Sequence, residues 1–407
     1  MLEFGEAIAK ILKHTRRSMP ERVPIGDSLG YVLAQEIKAR EAIPLFDSSS
    51  VDGYAVRAQD LKSASKESQT SLPLSFTISA GSGVPRTLKP EETIKIMTGA
   101  PLPRGADAVV MKELVRVSGE EILFTSPVQQ GANLRKRGEE FSKGETVLSR
   151  GTIVSPPVIG LLATLGYDTV SVYGKPSVAL VITGNEVRSP SDRLRRGEIR
   201  DSNSYAISAV LRTIGIKPAL VLRARDKKKN LSRAFARAMK KADIVVSAGG
   251  VSVGDFDFVK EVLNDLRVET VFWRVAMKPG KPNYFGARGS KLVFGLPGNP
   301  VSALVSLEVL VMPALQKIMG IPRGAVQQYR AVIESEFRRS HGRVEFVRAF
   351  ASRMPDGRVS VKPVGGQGSH MVGGLASANC LMILADDKER IEKGDSVTIR
   401  SLSWAKF

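Results

Sequence analysis

Between residues 176 and 325, apolar runs of strand character alternate with stretches of helical period, and this alternation constrains the fold more than any other feature of the chain. "PSVALVIT" (Pro176 to Thr183) is a continuous apolar run, as a strand buried on both faces requires. "DSNSYAISAVLRTIG" follows, with a polar cluster at its start and Gly215 past its end, the signature of a capped helix. "KPALVLRARD", a basic helix, "ADIVVSAGG" and "KLVFGLPGNPVSALVSLEVLV" repeat the cycle. Strands that alternate with helices predict a parallel, doubly wound sheet. Ligands of such sheets collect beyond the carboxyl ends of the strands.

Three acids fall at that edge: Glu186 after "VALVITGN", Asp226 after "ALVLRAR", and Asp257 in "SAGGVSVGDFD". In the same loop Gly249, Gly250 and Gly254 let backbone amides approach a ligand closely, which suits an anion. The loop is thus an anion cradle rimmed by carboxylates, Asp255 included. A divalent cation such as Mg²⁺ reconciles the two, because it bridges carboxylate and phosphate oxygens. The competing reading is a structural glycine turn whose aspartates are merely solvated. "MKPGKPNYFG" adds Lys278 and Lys281 around a constraining turn, suited to an oxyanion. "GLPGNPVSAL" forces a tight bend before a helix that begins near Pro300. "SSSVDGYAV" is open to reading as a plain turn around Asp52.

Outside the α/β segment the textures differ. Residues 1–48 read as an amphipathic helix and then extended chain; from about 53 to 137 short β-like runs are split by Gly and Pro, which predicts a small β-rich insert. Beyond about 326, alternation as in "AVIESEF" and "VEFVRAF", with "PDGR" as a hairpin turn, predicts a small β domain. The resulting division is residues 1–48 with 138–175, 49–137, 176–325 and 326–407.

The net charge of +19 favours acidic partners, yet it is scattered. Its densest run, Arg223 to Lys241, has Leu231, Phe235 and Met239 at spacing four, so one face is buried and the basic residues are solvated. No nucleic-acid signature accompanies it. The single cysteine, Cys380, leaves no disulfide framework and points to a reducing, intracellular setting. The amino terminus reads as no signal peptide, and the most apolar segment, Val301 to Leu315, is too short to span a bilayer. His14, His341 and His370 stand at unrelated positions, which argues against histidine-metal or histidine-nucleophile chemistry, and there is no GxxxxGK[ST] loop.

The motifs "SSVDGYAVR", "MTGAPLPRGADAVV", "NLRKRGEE", "VITGNEV", "RDSNSYA", "SAGGVSVGDFD", "VAMKPGKP", "GLPGNPVSA", "GRVEFVRA" and "GQGSHMVGGLASAN" run in order nearly end to end. As a set they resemble the molybdopterin molybdenumtransferase family, MoeA-like proteins related to the carboxy-terminal part of gephyrin. The resemblance implies an elongated amino-terminal region, a β-rich lid, a doubly wound pterin-binding domain and a carboxy-terminal β domain. It implies insertion of molybdate into adenylylated molybdopterin with Mg²⁺-dependent release of AMP, the last step of molybdenum cofactor synthesis. It further implies a cytoplasmic homodimer with one lid near the partner's cleft, room for contact with other cofactor-biosynthesis proteins, and no nucleic-acid or membrane partner.

Matched position by position, the family's functional acids fall on Asp52, Glu186, Asp226 and Asp257, with Glu140 in "RGEEFSKG" where the family usually has aspartate. In the division of labour that follows, Asp226 and Asp257, with Glu186 as a further candidate, would hold the metal. The resemblance assigns substrate binding to Thr98, Arg135, Arg274, Lys278, Lys281, Pro297, Pro300, Arg348 and Ser369, beside the loop residues Gly249, Gly250, Ser252, Gly254 and Asp255. Arg274 stands where some relatives have lysine. The rival readings are an adenylyltransferase built on the same pterin domain and a non-catalytic molybdopterin-binding scaffold.

Overall fold

The structure, a computed structural model, describes residues 1–83, 86–250, 258–322, 328–339, 342–385 and 388–405. Contacts divide the chain into two compact units, one of residues 1–35, 151–156 and 169 onward, the other of residues 36–150 and 157–168.

The larger unit contains a six-stranded sheet. Its strands are β1 (Val178–Thr183), β2 (Leu220–Ala224), β3 (Ile244–Ala248), β4 (Glu269–Arg274), β5 (Pro282–Arg288) and β6 (Lys291–Leu296). The spatial order is β2-β1-β3-β6-β5-β4. The first four in that order are parallel, in the registers Ala179 to Leu220, Val178 to Ile244 and Ile244 to Leu292. β5 and β4 run antiparallel at one edge, so the sheet is mixed where the sequence predicts a parallel one. The difference has a local cause, because the two-residue link between β5 and β6, Gly289 and Ser290, allows only a hairpin.

Every residue of β1 and β3 is buried, as their unbroken apolar runs demand. On one face lie α1 (Phe4–His14), α2 (Asn203–Thr213) and α5 (Pro300–Ile318), sharing a core that includes Ile11, Ile207, Leu211 and Val305. On the other lie α3 (Lys228–Lys241) and α4 (Phe258–Asp265). The basic α3 buries Leu231, Phe235 and Met239, as its period predicts, and each buried side chain contributes roughly 1.5–3 kcal/mol. α2 starts where the sequence places a cap. Asp201 Oδ1 accepts from Ser204 N (2.9 Å) and Oδ2 from Ser204 Oγ (2.6 Å).

α5 corrects one expectation. It runs through a π-helical turn, Leu307–Val311, and on to Ile318, past the apolar run read from the sequence, and its 19 residues are long and apolar enough to cross a membrane. Yet 78% of that window is buried inside the fold, so α5 is a core helix. Within its π turn, Glu308 is 1% exposed and meets Arg400 from the following domain (NH2 to Oε1, 3.3 Å).

That domain is a ring of five strands in which Val344–Arg353, Val359–Pro363, Gln328–Ile333, Ser396–Ser401 and Cys380–Leu384 pair in turn and the last pairs back to the first. Its core holds Val347, Ala349, Met382 and Ile399. The "PDGR" turn joins two of these strands, with Met354 N donating to Arg358 O (2.8 Å).

The smaller unit carries its own six-stranded sheet, drawn from residues between Gly53 and Phe124 and packed around Tyr54, Val56, Leu61 and Phe124.

Candidate functional site

All four parallel strands deliver loops to one cleft of about 630 Å³ at their carboxyl edge. β1 supplies Thr183, Gly184 and Glu186; β2 supplies Asp226; β3 supplies Gly249 and Gly250; β6 supplies Pro297 to Pro300. The chain leaves β1 for β2 on one side and reaches β3 on the other, so the cleft sits where the strand order reverses, the usual ligand position in such sheets.

The two described acids are brought together here. Asn185 N donates to Asp226 Oδ2 and Asp226 N donates to Asn185 Oδ1, each at 3.2 Å, tying the β1 and β2 loops to each other. Burial pushes the Asp226 carboxyl above its ordinary range; the Asn185 N–H opposes this and the charge of Glu186 adds to it. Glu186 folds back over Gly184, where φ is +143° and an added Cβ would stand 2.9 Å from Glu186 Oε1. A half-buried carboxylate beside a second one is a donor set that a hard divalent cation relieves. Among the described residues no group of three or more such ligands occurs. Asp257, the third expected ligand, lies outside the described residues, as do Ser252, Gly254 and Asp255.

The cradle glycines are sterically required. With φ at +94°, a Cβ on Gly249 would meet Thr183 O at 2.5 Å, and one on Gly250 would meet Thr183 Oγ1 at 2.8 Å. Gly249 N already donates to Leu296 O (3.1 Å), so it is not a free donor to a ligand.

Pro300 opens α5, and Asn299 Nδ2 beside it donates to Ser369 Oγ (2.9 Å). The segment 366–371 thereby meets the cleft, and His370 lines it, although nothing in the sequence connects that histidine to the sheet edge. Arg348 fixes this segment. It is 1% exposed and donates to Gly366 O (2.6 Å), Met371 O (2.7 Å), Gly368 O (3.2 Å) and Gln367 Oε1 (3.3 Å). The expected substrate-binding arginine therefore spends its guanidinium on the loop that carries Ser369.

The other expected cations are placed elsewhere. Lys278 Nζ pairs with the buried Glu345 (2.9 Å), Lys281 is exposed, and Arg274 lines a separate shallow depression with Lys260 and Trp273. None of the three is among the residues lining the cleft.

Within the smaller unit, Asp52 and Thr98 meet. Asp52 Oδ1 accepts from Thr98 N (2.9 Å) and Oγ1 (2.8 Å), and Oδ2 from Lys112 Nζ (3.3 Å). The Thr98 backbone N–H, then its hydroxyl, then Lys112 pull the carboxyl down to about 2. In the same unit Arg135 pairs with Ser48 in a two-residue ladder, and Glu140, exposed, donates its N–H to Ile43 O (3.0 Å).

Thr183, Asp201, Asn203, Asn299 and His370 line the cleft without having been singled out from the sequence. For Asp201 and Asn203 a signal existed, since both stand in "RDSNSYA", but a capping cluster accounts for that motif equally well. Asp201 is in fact 3% exposed and further paired to Arg223 Nε (3.0 Å).

Comparison with known proteins covers almost the whole chain. Residues 2–166 match the family described as "MoeA N-terminal region (domain I and II)", residues 179–317 the "Probable molybdopterin binding domain", and residues 330–402 the "MoeA C-terminal region (domain IV)". The chain is 36% identical over 404 residues to the molybdopterin molybdenumtransferase of Bacillus subtilis, covering 98% of this chain and 93% of that protein. It is 35% identical over 395 residues to that of Staphylococcus aureus, covering 97% and 94%. A molybdopterin biosynthesis MoeA protein from Pyrococcus horikoshii superimposes with a TM-score of 0.82 at 29% identity, over 98% of this chain and all of that one.

Proposed function

This chain belongs to the MoeA family of molybdopterin molybdenumtransferases, and from that membership and its own cleft we propose that it inserts molybdate into adenylylated molybdopterin with release of AMP. The observation that carries the proposal is the union of Glu186, Asp226, Gly249 and Gly250 at the switch point of the segment matched to the molybdopterin binding domain. We assign Mg²⁺ to the acids, with Glu186 and Asp226, joined by Asp257, as its holders. When bound, that ion would neutralise phosphate charge and polarise the adenylyl phosphorus–oxygen bond.

The chain's own residues do the remaining work in this reading. The glycines give the phosphates room to approach the backbone at the end of β3. Asn185 holds Asp226 in position through two hydrogen bonds. Arg348 fixes the segment carrying Ser369, and through Asn299 the start of α5. Pro297 and Pro300 stiffen the opposite rim. Asp52 with Thr98, and Arg135 and Glu140 in the same unit, are a second, lid-borne set, and Arg274 and Lys281, with Lys278 beside Glu345, act on the molybdate dianion only at long range from outside the cleft. The protein acts in the cytoplasm as a homodimer, divided into the four regions given by the sequence.

The test is a single-turnover assay with adenylylated molybdopterin, following AMP by chromatography. AMP release that requires both molybdate and Mg²⁺, and that EDTA abolishes, is the expected result. Tight binding of the adenylylated pterin with no AMP under any metal would refute the transferase reading in favour of a scaffold.

A further inference from the structure

Two buried polar atoms in the cleft lining have no hydrogen-bond partner among the described residues, Thr183 Oγ1 and Asn203 Oδ1. Thr183 is 4% exposed and Asn203 8%, so bulk water does not satisfy them. Buried polar groups in native proteins are nearly always paired, and an exception inside a cleft marks a group kept for a ligand.

The surroundings fix what each atom offers. Asn203 Nδ2 donates to Gly298 O (2.8 Å). A carbonyl only accepts, so the amide nitrogen stands on that side and the atom left over is an acceptor. Thr183 Oγ1 lies 2.8 Å from the place where a Cβ on Gly249 or on Gly250 would stand. It therefore faces the bare backbone of the cradle, where any larger residue would cover it. One atom is a hydroxyl at the anion cradle; the other is a lone acceptor at the start of α2.

We propose that Thr183 and Asn203 are ligand-binding residues of this cleft, the Thr183 hydroxyl donating to an anionic phosphate oxygen at the cradle and Asn203 Oδ1 accepting an N–H from the ligand's heterocycle. The inference rests on the molybdopterin reading and assigns it two contacts. The amino-pyrimidinone edge of a pterin and the amino group of adenine both present such an N–H, so the experiment separates them.

Molybdopterin and AMP are titrated separately, by calorimetry, onto the wild type, Thr183→Val, Thr183→Ser and Asn203→Leu, and each unliganded protein is melted. Thr183→Val removes no hydrogen bond within the protein, so its Tm stays level or rises. Both ligands carry a phosphate, and the affinity of the one whose phosphate sits at the cradle falls by about tenfold, the cost of leaving one charge-assisted bond unmade, while the other is unchanged. Thr183→Ser retains the hydroxyl and binds like the wild type. Asn203→Leu weakens one ligand by about tenfold; a loss confined to molybdopterin puts the pterin at Asn203, and a loss confined to AMP puts adenine there. Unchanged affinities for both ligands in Thr183→Val and Asn203→Leu would overturn the proposal. A wild type that binds neither ligand would instead bring down the molybdopterin reading on which it stands.

Discussion

Replacing Arg348 tests whether the loop at the cleft is held by the barrel beneath it. The guanidinium makes three hydrogen bonds to backbone carbonyls, those of Gly366, Gly368 and Met371, and one to the Gln367 side chain, at 2.6 to 3.3 Å. No carboxylate pairs with it among the described residues, so carbonyl dipoles alone compensate its buried charge. Hydrogen bonds to a charged group contribute roughly 1.5–3 kcal/mol each. Three carbonyl bonds would sum to about 4.5–9 kcal/mol. Two effects reduce that sum. Removing the cation also removes its own desolvation penalty, and Gly366 and Met371 are exposed enough for their carbonyls to turn to water. Arg348→Met should therefore cost about 3 kcal/mol, below that simple sum. Arg348→Lys should recover only part of this, because an ammonium cannot reach four acceptors spread around a planar fork. Urea unfolding gives the stability, and hydrogen exchange over residues 366–371 gives the local opening. Faster exchange in that segment, with molybdopterin affinity reduced alongside, is the expected pattern. A loss below about 1 kcal/mol with unchanged exchange and affinity would refute the idea that Arg348 holds the loop.

Three more perturbations have directions set by the geometry. Asp226→Asn should leave the metal-free protein as stable as the wild type or more so, because burial and Glu186 already penalise the charged carboxyl; the gain should grow as pH rises from 3.8 toward the higher folded-state value and level off above it. The same variant should lose AMP release by about tenfold or more, and an unstable but active Asp226→Asn would contradict both halves. For Asp52, held down to about 2, the stabilising contribution is present above its ordinary 3.8 and is lost as pH falls toward 2. Thr98→Val, which keeps the Thr98 N–H, should raise that value part of the way in a carboxyl-carbon NMR titration, and no movement would show the hydroxyl to be idle. Arg400→Met alone strands the buried Glu308 and should cost about 3–5 kcal/mol in chemical unfolding, while Glu308→Leu with Arg400→Met should cost clearly less. Equal losses in the single and double variants would show that the pair, rather than its breakage, carries the stability.

The fold was legible where periodicity and punctuation agree. "VALVIT" and "IVVSA" are buried along their whole length, and the spacing of Leu231, Phe235 and Met239 picks the buried face of α3. The antiparallel edge was not legible, because β4 and β5 have the same composition in either orientation and only their links decide. The extent of α5 was also hidden. A π turn precedes Pro313, and Pro at the second position of the segment that follows needs no N–H partner of its own, so the helix runs on to Ile318.

In the cleft, the residues that end a strand could be found from the sequence and those that arrive from elsewhere could not. Glu186, Asp226 and Gly249 each follow an apolar run by a few residues, so the sheet's topology delivers them together. His370 reaches the same cleft from a segment 70 residues beyond Pro300, anchored by an arginine on a different sheet, and no local pattern encodes that. Charge misleads for a related reason. The chain carries +19, yet Lys278 is matched by Glu345, Arg274 lies in another depression, and the sheet edge presents Glu186 and Asp226. Scattered surface cations act through a field that salt screens within about 8–10 Å, whereas two carboxylates in one cleft act at contact. An anionic ligand drawn in by the first must still be reconciled with the second, and a divalent ion between them is the arrangement that makes both features favourable at once.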